Sequence, residues 1–399
     1  MTPVDPKRQP RNTAGMALES KVPEMTPAEL VRAVETGREI AVLDVRAPFR
    51  LEGGRIDIVP DDRFFNIKGS ELLAMEDPAA AGLDAARPVA VVCGLGNDSR
   101  RIAAWLNERG YSASSVRGGM VAWMDMAVRR TLKPPPELDV LLQMDRVGKG
   151  ALGYLMVSDG EAMVIDPPRH PLAYLEAIDD LGATLVAVAD THAHADYISG
   201  GPALATAHEV PYLLHPADAV YPFDGTPGKV RFEELEDGQV LRVGRAEVTV
   251  LHTPGHTEGH CCFRVGTAFA LTGDFVFVGS VGRPDLGGKA APWTKVLWQS
   301  LQRARATWPA GMMVYPAHYA AAEERNADHT VGAPFGPLPS RNEPLAIKDE
   351  KAFTDWVMSR VGEAPDAYRR IKAINLGLEK VTEPEAEELD AGKNQCALG

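Results

Sequence analysis

Four turns, each placed where an apolar run stops, carry a set of imidazoles and carboxylates that constrains this chain more than any other feature. They are Thr191-His192-Ala193-His194-Ala195-Asp196-Tyr197, His252-Thr253-Pro254-Gly255-His256-Thr257, Thr272-Gly273-Asp274 and Tyr315-Pro316-Ala317-His318. The runs leading into them read as strands, being short, rich in β-branched residues and bounded by turn residues. Ligand-type residues at several strand ends act together only if those ends meet, and this pattern of ligands delivered from strand termini resembles an αββα sandwich. A single H-x-H would carry little weight, because two strand-end histidines are commonly just hydrogen-bonded. Imidazole and carboxylate in four coincident turns are another matter, since together they hold divalent first-row metals. A metal centre is the expected chemistry.

The remainder of the chain narrows the class. Its 399 residues suggest about two domains. A hydrophobic content of 45% with 24% charged residues predicts packed cores and little long disorder. The formal charge of −13 gives no footprint for nucleic acid or an anionic membrane surface, so a small-molecule substrate is expected. No apolar run approaches the roughly 20 residues that cross a bilayer. Residues 1–22 are polar and proline-bearing and read as a disordered leader rather than a secretory signal, which predicts cytoplasmic residence. Four cysteines, Cys93, Cys261, Cys262 and Cys396, define no disulfide framework, and reduced thiols are expected. Cys261 and Cys262 lie in a strand-like run as small buried hydrophobes. Cys396, in the tail Lys393-Asn394-Gln395-Cys396-Ala397-Leu398-Gly399, reads as an exposed and idle thiol. Self-association of identical chains stays open.

Two segments alternate differently. From residue 23 to 130, helix-like and strand-like stretches follow one another: MTPAELVRAVETG with Thr26 as N-cap and Glu29 in a capping box, then the buried runs EIAVLDVR and PVAVVCG, then a helix from about Ser99 to Arg109. This is an α/β pattern with a parallel sheet and flanking helices. TLKPPPE places a proline linker at 131–136. Residues 137–341 hold the metal turns and open with GYLMVSDGEAMVIDPP, whose Asp159-Gly160 predicts a tight hairpin. Residues 342–399 read as a helical extension with an acidic tail.

The metal turns resemble the metallo-β-lactamase superfamily, in its glyoxalase II-like branch, over roughly Leu138–Arg341. That family's motif is H-x-H-x-D-H, and here its last position is Tyr197. The resemblance implies that a dinuclear member would use His192, His194, His256 and Asp274 for one metal, and Asp196, the missing histidine, His318 and bridging Asp274 for the second. A neutral phenol is a poor ligand at pH 7, so a two-metal zinc site is disfavoured. Persulfide dioxygenases of the superfamily hold one iron through positions that match His192, His256 and Asp274. Two histidines and a carboxylate leave room for O2 and a substrate sulfur, the arrangement of iron(II) oxygenases. His194, Asp196 and His318 would then orient ligands or bound water, or supply a second metal. Tyr197 and the Arg283 of Gly282-Arg283-Pro284-Asp285 are candidate substrate contacts, with Arg283 also able to pair with Asp285.

Cys93-Gly94-Leu95-Gly96-Asn97-Asp98-Ser99 joins a buried strand to a helix N-terminus, where backbone N–H groups favour a thiolate or persulfide anion. With Asp44-Val45-Arg46, Gly54-Arg55-Ile56, Phe65-Asn66-Ile67 and Gly118-Gly119-Met120-Val121-Ala122-Trp123, this order resembles single-domain rhodaneses, and Cys93 matches their nucleophile. Rhodaneses commonly carry arginine where Asp98 stands, and a carboxylate there opposes docking of anionic thiosulfate. The two resemblances together imply a rhodanese–persulfide dioxygenase fusion: one Fe(II) per chain oxidising a low-molecular-weight persulfide with O2 to sulfite and thiol, coupled to sulfane-sulfur carriage at Cys93. The alternatives are a zinc thioester hydrolase of the glyoxalase II type and a non-catalytic sulfur sensor or scaffold.

Overall fold

A computed structural model of the chain describes residues 22–398, so the expected leader falls outside the described residues except for Val22. The backbone divides into two units, Met1–Met126 and Ala127–Gly399.

In the first unit β1 (Glu24–Met25), β2 (Ala41–Asp44), β3 (Phe64–Asn66), β4 (Val89–Val92) and β5 (Ala113–Val116) form one sheet in the order β1-β5-β4-β2-β3. Every pairing is parallel, as the fully buried apolar runs of β2 and β4 require. Helix Pro27–Glu35 opens on the predicted capping box: the Glu29 amide donates to Thr26 Oγ1, and the Thr26 amide donates to the Glu29 carboxylate. Helix Asn97–Asn107 follows β4 and packs Ile102 and Leu106 on Leu43 and Val91. Its N-cap, Gly96, has φ +88°, and a Cβ there would lie 2.9 Å from the Gly118 amide nitrogen, so only glycine closes this loop.

The second unit contains two sheets. The first runs β12-β11-β10-β9-β8-β7-β6, from β6 (Val128–Leu132), β7 (Val140–Arg146), β8 (Ala151–Ser158), β9 (Glu161–Ile165), β10 (Thr184–Ala189), β11 (Tyr212–Leu214) and β12 (Glu233–Glu234). The second runs β13-β14-β15-β16-β17-β18, from β13 (Val240–Val243), β14 (Ala246–His252), β15 (Cys261–Val265), β16 (Phe269–Gly273), β17 (Met313–Pro316) and β18 (Ala333–Pro334). Tyr154, Met156 and Ile165 of the first sheet meet Val248, Phe263 and Leu271 of the second in one core. Helices Leu172–Asp180 and Gly201–His208 cover the first sheet through Tyr174, Ile178 and Leu204. Helices Ala290–Thr307 and Glu350–Met358 join the core shared by the two sheets through Leu297, Leu301 and Phe353. The αββα layering is therefore present. Asp159 (φ +50°) and Gly160 (φ +77°) make the predicted hairpin turn between β8 and β9.

The boundary between units differs from the expected one. Val128–Leu132, placed at the end of the first domain and the start of the 131–136 linker, is an edge strand of the second unit, antiparallel to β7 from Val128↔Asp145 to Leu132↔Leu141. Its alternation turns Arg130 inward, where the guanidinium reaches Asp145 at 3.4 Å, a pairing no local pattern reveals. The three prolines turn the chain from β6 into β7.

Register then brings the ligand turns together. Parallel pairing of β16 with β17 sets Leu271 beside Tyr315 and Gly273 beside Pro316, so Asp274 and His318 leave the sheet at the same edge. The Cys261 amide donates to the Thr191 carbonyl (2.8 Å), tying the end of β10 to the start of β15 across the sandwich.

Candidate metal centre

His192, His256 and Asp274 converge. Their ligand atoms lie within 4.8 Å of one another, and all three residues are fully buried. Asp274 Oδ2 is 3.3 Å from His256 Nε2 and 3.7 Å from His192 Nε2, yet none of the three atoms has a hydrogen-bond partner. Three orphaned polar atoms aimed at one another in a dry interior are costly unless a cation sits between them. The opposite edge of each ligand is held. His256 Nδ1 donates to the Arg283 carbonyl (2.8 Å), which fixes the tautomer and leaves the Nε2 lone pair for a metal. His192 Nδ1 meets Thr191 Oγ1 (2.9 Å), and Asp274 Oδ1 accepts from His318 Nδ1 (2.7 Å). The donor set fits a divalent first-row metal.

Protonation agrees with this. Burial and the neighbouring His194 and His256 push His192 well below the ordinary histidine range, and burial lowers His256, so both rings are neutral ligands. Burial alone would raise Asp274; His318 and His256 beside it prevail and hold it at about 2. Between the carboxylates of Asp274 and Asp196, His318 is raised to about 10 against the effect of its burial.

The other predicted residues separate into two groups. His194 turns from the converging trio: its Nε2 lies 3.1 Å from Asp166 Oδ1 and 2.9 Å from the Tyr197 hydroxyl. Burial and Asp166 keep the Tyr197 phenol far above its ordinary pKa, so it is a neutral partner of His194 rather than an exposed contact for substrate. Asp196 and His318 lie on the other side, with His318 Nε2 3.0 Å from Asp196 Oδ2 but neither atom well aligned for a hydrogen bond. Arg283 is not free for substrate. Its guanidinium grips Asp285 at 2.8 and 2.6 Å and donates to the Gly362 carbonyl.

Several residues that build the site carry no motif. Asp218 accepts from the Ala193 amide, the Thr257 hydroxyl and the Gly259 amide (2.7–2.8 Å), locking both histidine turns to one carboxylate. Asp166 does the same for Thr191 and His194. His260 stacks on His192 and accepts the Asp274 amide at Nε2 (3.0 Å), with burial holding it down at about 3 and hence neutral. From helix Asp366–Asn375, Lys372 Nζ donates to the Ala193 carbonyl, and Asn375 to those of His194 and Tyr197.

Cys396 reverses its expected place. It is fully buried, and its sulfur lies within 4.8 Å of the Asp196 and His318 ligand atoms. Burial and the Asp196 and Asp274 carboxylates push the thiol well up, so it is protonated in the metal-free site.

In the first unit Cys93 directly follows β4, at the strand end where it is expected. Its sulfur accepts the Gly96 amide (3.1 Å) and meets Ser99 Oγ (3.4 Å), while Asp98 is exposed in the first turn of the following helix.

A sandwich that delivers imidazole and carboxylate from strand ends defines the second unit as a metallo-hydrolase-type fold, and the sequence comparisons agree. Residues 148–328 match the metallo-beta-lactamase superfamily and residues 26–126 the rhodanese-like domain, so the chain belongs to that superfamily and carries a rhodanese-like domain ahead of it. It is 33% identical over 171 residues to a hydroxyacylglutathione hydrolase of Cereibacter sphaeroides, covering 42% of this chain and 62% of that protein. To the human mitochondrial persulfide dioxygenase ETHE1 it is 32% identical over 164 residues, covering 40% of this chain and 59% of that protein. It thus spans about three-fifths of either relative. A Staphylococcus aureus metallo-beta-lactamase structure superposes with a TM-score of 0.53 at 25% identity, over 61% of this chain and 74% of that one.

Proposed function

We propose that the second unit is a mononuclear iron persulfide dioxygenase and that the rhodanese-like unit carries sulfane sulfur on Cys93. The observation that carries this reading is the donor set: the ligand atoms of His192, His256 and Asp274 are orphaned and convergent, whereas His194 stands outside that group, its Nε2 taken by Asp166 and Tyr197 and only its Nδ1 unpartnered. Iron(II) held by His192, His256 and Asp274 would supply open positions for O2 and for a substrate sulfur. The reaction joins persulfide, O2 and water to give thiol, sulfite and two protons. The chain's own part is positional. Arg283 fixes the His256 tautomer through its carbonyl, and His318 and His260 aim Asp274.

A zinc thioester hydrolase is the second reading. It is favoured by the Asp196, His318 and Cys396 donors beside the first set, and by the hydroxyacylglutathione hydrolase relative. Anaerobically purified protein should hold one iron per chain and consume O2 with a low-molecular-weight persulfide. Two zinc ions with hydrolysis of a glutathione thioester and no O2 uptake would establish the hydrolase instead, and turnover of neither substrate would leave a sensor or scaffold.

A further inference from the structure

Residues 391–398 pass beside the metal-donor cluster. After helix Glu383–Asp390, the Asn394 side-chain amide donates to the carbonyls of Lys149, Gly150 and Tyr319, and the Gln395 amide donates to the Tyr368 hydroxyl. Beyond it, the Arg283 amide donates to the Cys396 carbonyl (2.9 Å), Ala397 bridges Gly282, and the Leu398 amide donates to the Val281 carbonyl. Arg283 is also the residue whose carbonyl holds His256, so the strand segment that orients a metal ligand is the one that seats the tail. Backbone bonds on both sides of Cys396 therefore fix where its sulfur sits. Ala195, Leu286, Tyr368 and Ile371 pack around it.

A thiol destined only for a hydrophobic core has no need of that address. The Cys396 sulfur faces Asp196 and His318, and three buried atoms there, both Asp196 oxygens and His318 Nε2, have no hydrogen-bond partner. Asp274, shared with the converging trio, is adjacent. His192, His256, Asp274 and Cys396 are all fully buried. A cleft reaches the backs of the histidine turns at Ala193 and Thr257, and none of the metal-donor residues lines it. With the tail seated, the sulfur beside the donors belongs to the chain itself.

We propose that Cys396 is the sulfur carrier of the metal centre: the substrate oxidised there is a persulfide on the chain's own C-terminal tail. This rests on the dioxygenase reading above. Loading is a thiol exchange. The Cys396 sulfur attacks the sulfane sulfur of a low-molecular-weight persulfide, one S–S bond forms as another breaks, and the donor leaves as thiol with the proton, without net oxidation. Cys396 lies six positions beyond Asp390, an extended reach of about 20 Å, so the tail can swing out to load while its helix stays packed. Returned to its seat, the added sulfur projects about 2 Å beyond Sγ. O2 then takes four electrons from that sulfur, water supplies the third oxygen, and sulfite and two protons leave with the Cys396 thiol restored.

The test uses the full-length, iron-loaded protein and cysteine persulfide as donor. Loaded without O2, alkylated and digested, the Cys396 peptide should gain the mass of one sulfur, in the parent protein and in Cys93→Ser alike. Admitting O2 should remove that sulfur and release one sulfite per chain, and in Cys396→Ser single-turnover sulfite should fall about 100-fold, the scale of losing a positioned reacting group. Should Cys396→Ser fold poorly, the mass measurement on the parent protein decides alone. Sulfite formation while Cys396 stays unmodified overturns the proposal, as does unchanged sulfite release by Cys396→Ser. So does a Cys396 that never loads because it binds a second metal ion, lost in the serine variant. Sulfur that loads on Cys396 and persists in O2 upholds the carrier and removes the dioxygenase reading.

Discussion

Asp274 is held from three sides, and each hold has its own consequence for mutation. Its Oδ2 faces His192 and His256, its Oδ1 accepts from His318, and its backbone amide donates to His260. Replacing His192, His256 or Asp274 by alanine removes one of three donors and should abolish metal binding. His318→Ala removes only an orienting bond, so the metal should stay with affinity lowered about 10–100-fold, read by chelator competition. Complete metal loss in His318→Ala, with metal kept in Asp274→Ala, would show the trio to be wrongly drawn. His260 adds a pH effect. Its native pKa of about 3 lies below the ordinary 6.5, so between those values the unfolded chain takes up a proton that the fold excludes. Stability from neutral His260 is complete above pH 6.5 and is lost as pH falls toward 3. In urea unfolding of metal-free protein, His260→Gln should flatten the acid-side slope, and equal slopes would mean that His260 is not the excluded proton site. The ligands themselves are legible in sequence because each sits in a patterned turn. His260, Asp166 and Asp218 are not, since each is one polar residue whose bond to the site, to Asp274, Thr191 and Gly259 respectively, spans 14 to 41 positions.

At the scale of elements, what is legible follows from local periodicity. The capping box at Thr26, the Asp159-Gly160 hairpin and the apolar runs of β4, β10 and β16 announce themselves. Strand β6 does not, because VRRTL has two charges and gains its structure from β7 and from the buried Arg130–Asp145 contact. The close approach of Gly282 is equally hidden. A Cβ there would lie 1.8 Å from the Asp274 carbonyl oxygen and 3.0 Å from His256 Nδ1, so the loop after β16 tolerates no side chain. Gly282→Ala should destabilise by roughly 1–3 kcal/mol, lowering Tm by about 2–4 °C per kcal/mol, and should reduce bound iron as Asp274 shifts. Gly311→Ala is the control, since nothing lies within 4 Å of its added methyl. Matching melting curves for the two variants would show that the second loop moves freely.

At the scale of the molecule, the two-unit organisation is readable from the change of pattern around the proline run, whereas the seating of the last eight described residues in the metal centre is not. That seating depends on Gly282, Tyr319 and Tyr368, and no local signal links them to Cys396. All four cysteines are buried, which makes their reactivity a measure of the whole structure. Cys261 and Cys262 are sealed between the sheets, and burial pushes Cys262 up to about 12 and Cys261 higher still. Cys396 is raised as well and opens only when the tail leaves its seat. Cys93 retains 5% of its surface and receives the Gly96 amide at the head of a helix, so it should be the first alkylated by iodoacetamide in native protein. Asp98, exposed in that helix's first turn, opposes an anion at the loop, and Asp98→Arg should raise both the alkylation rate of Cys93 and sulfur transfer from thiosulfate. Peptide mass spectrometry over time gives the order directly. If Cys93 stays protected while Cys396 is labelled, and Cys93→Ser leaves sulfur transfer from thiosulfate unchanged, the rhodanese-like unit carries no sulfur and the chemistry belongs to the second unit alone.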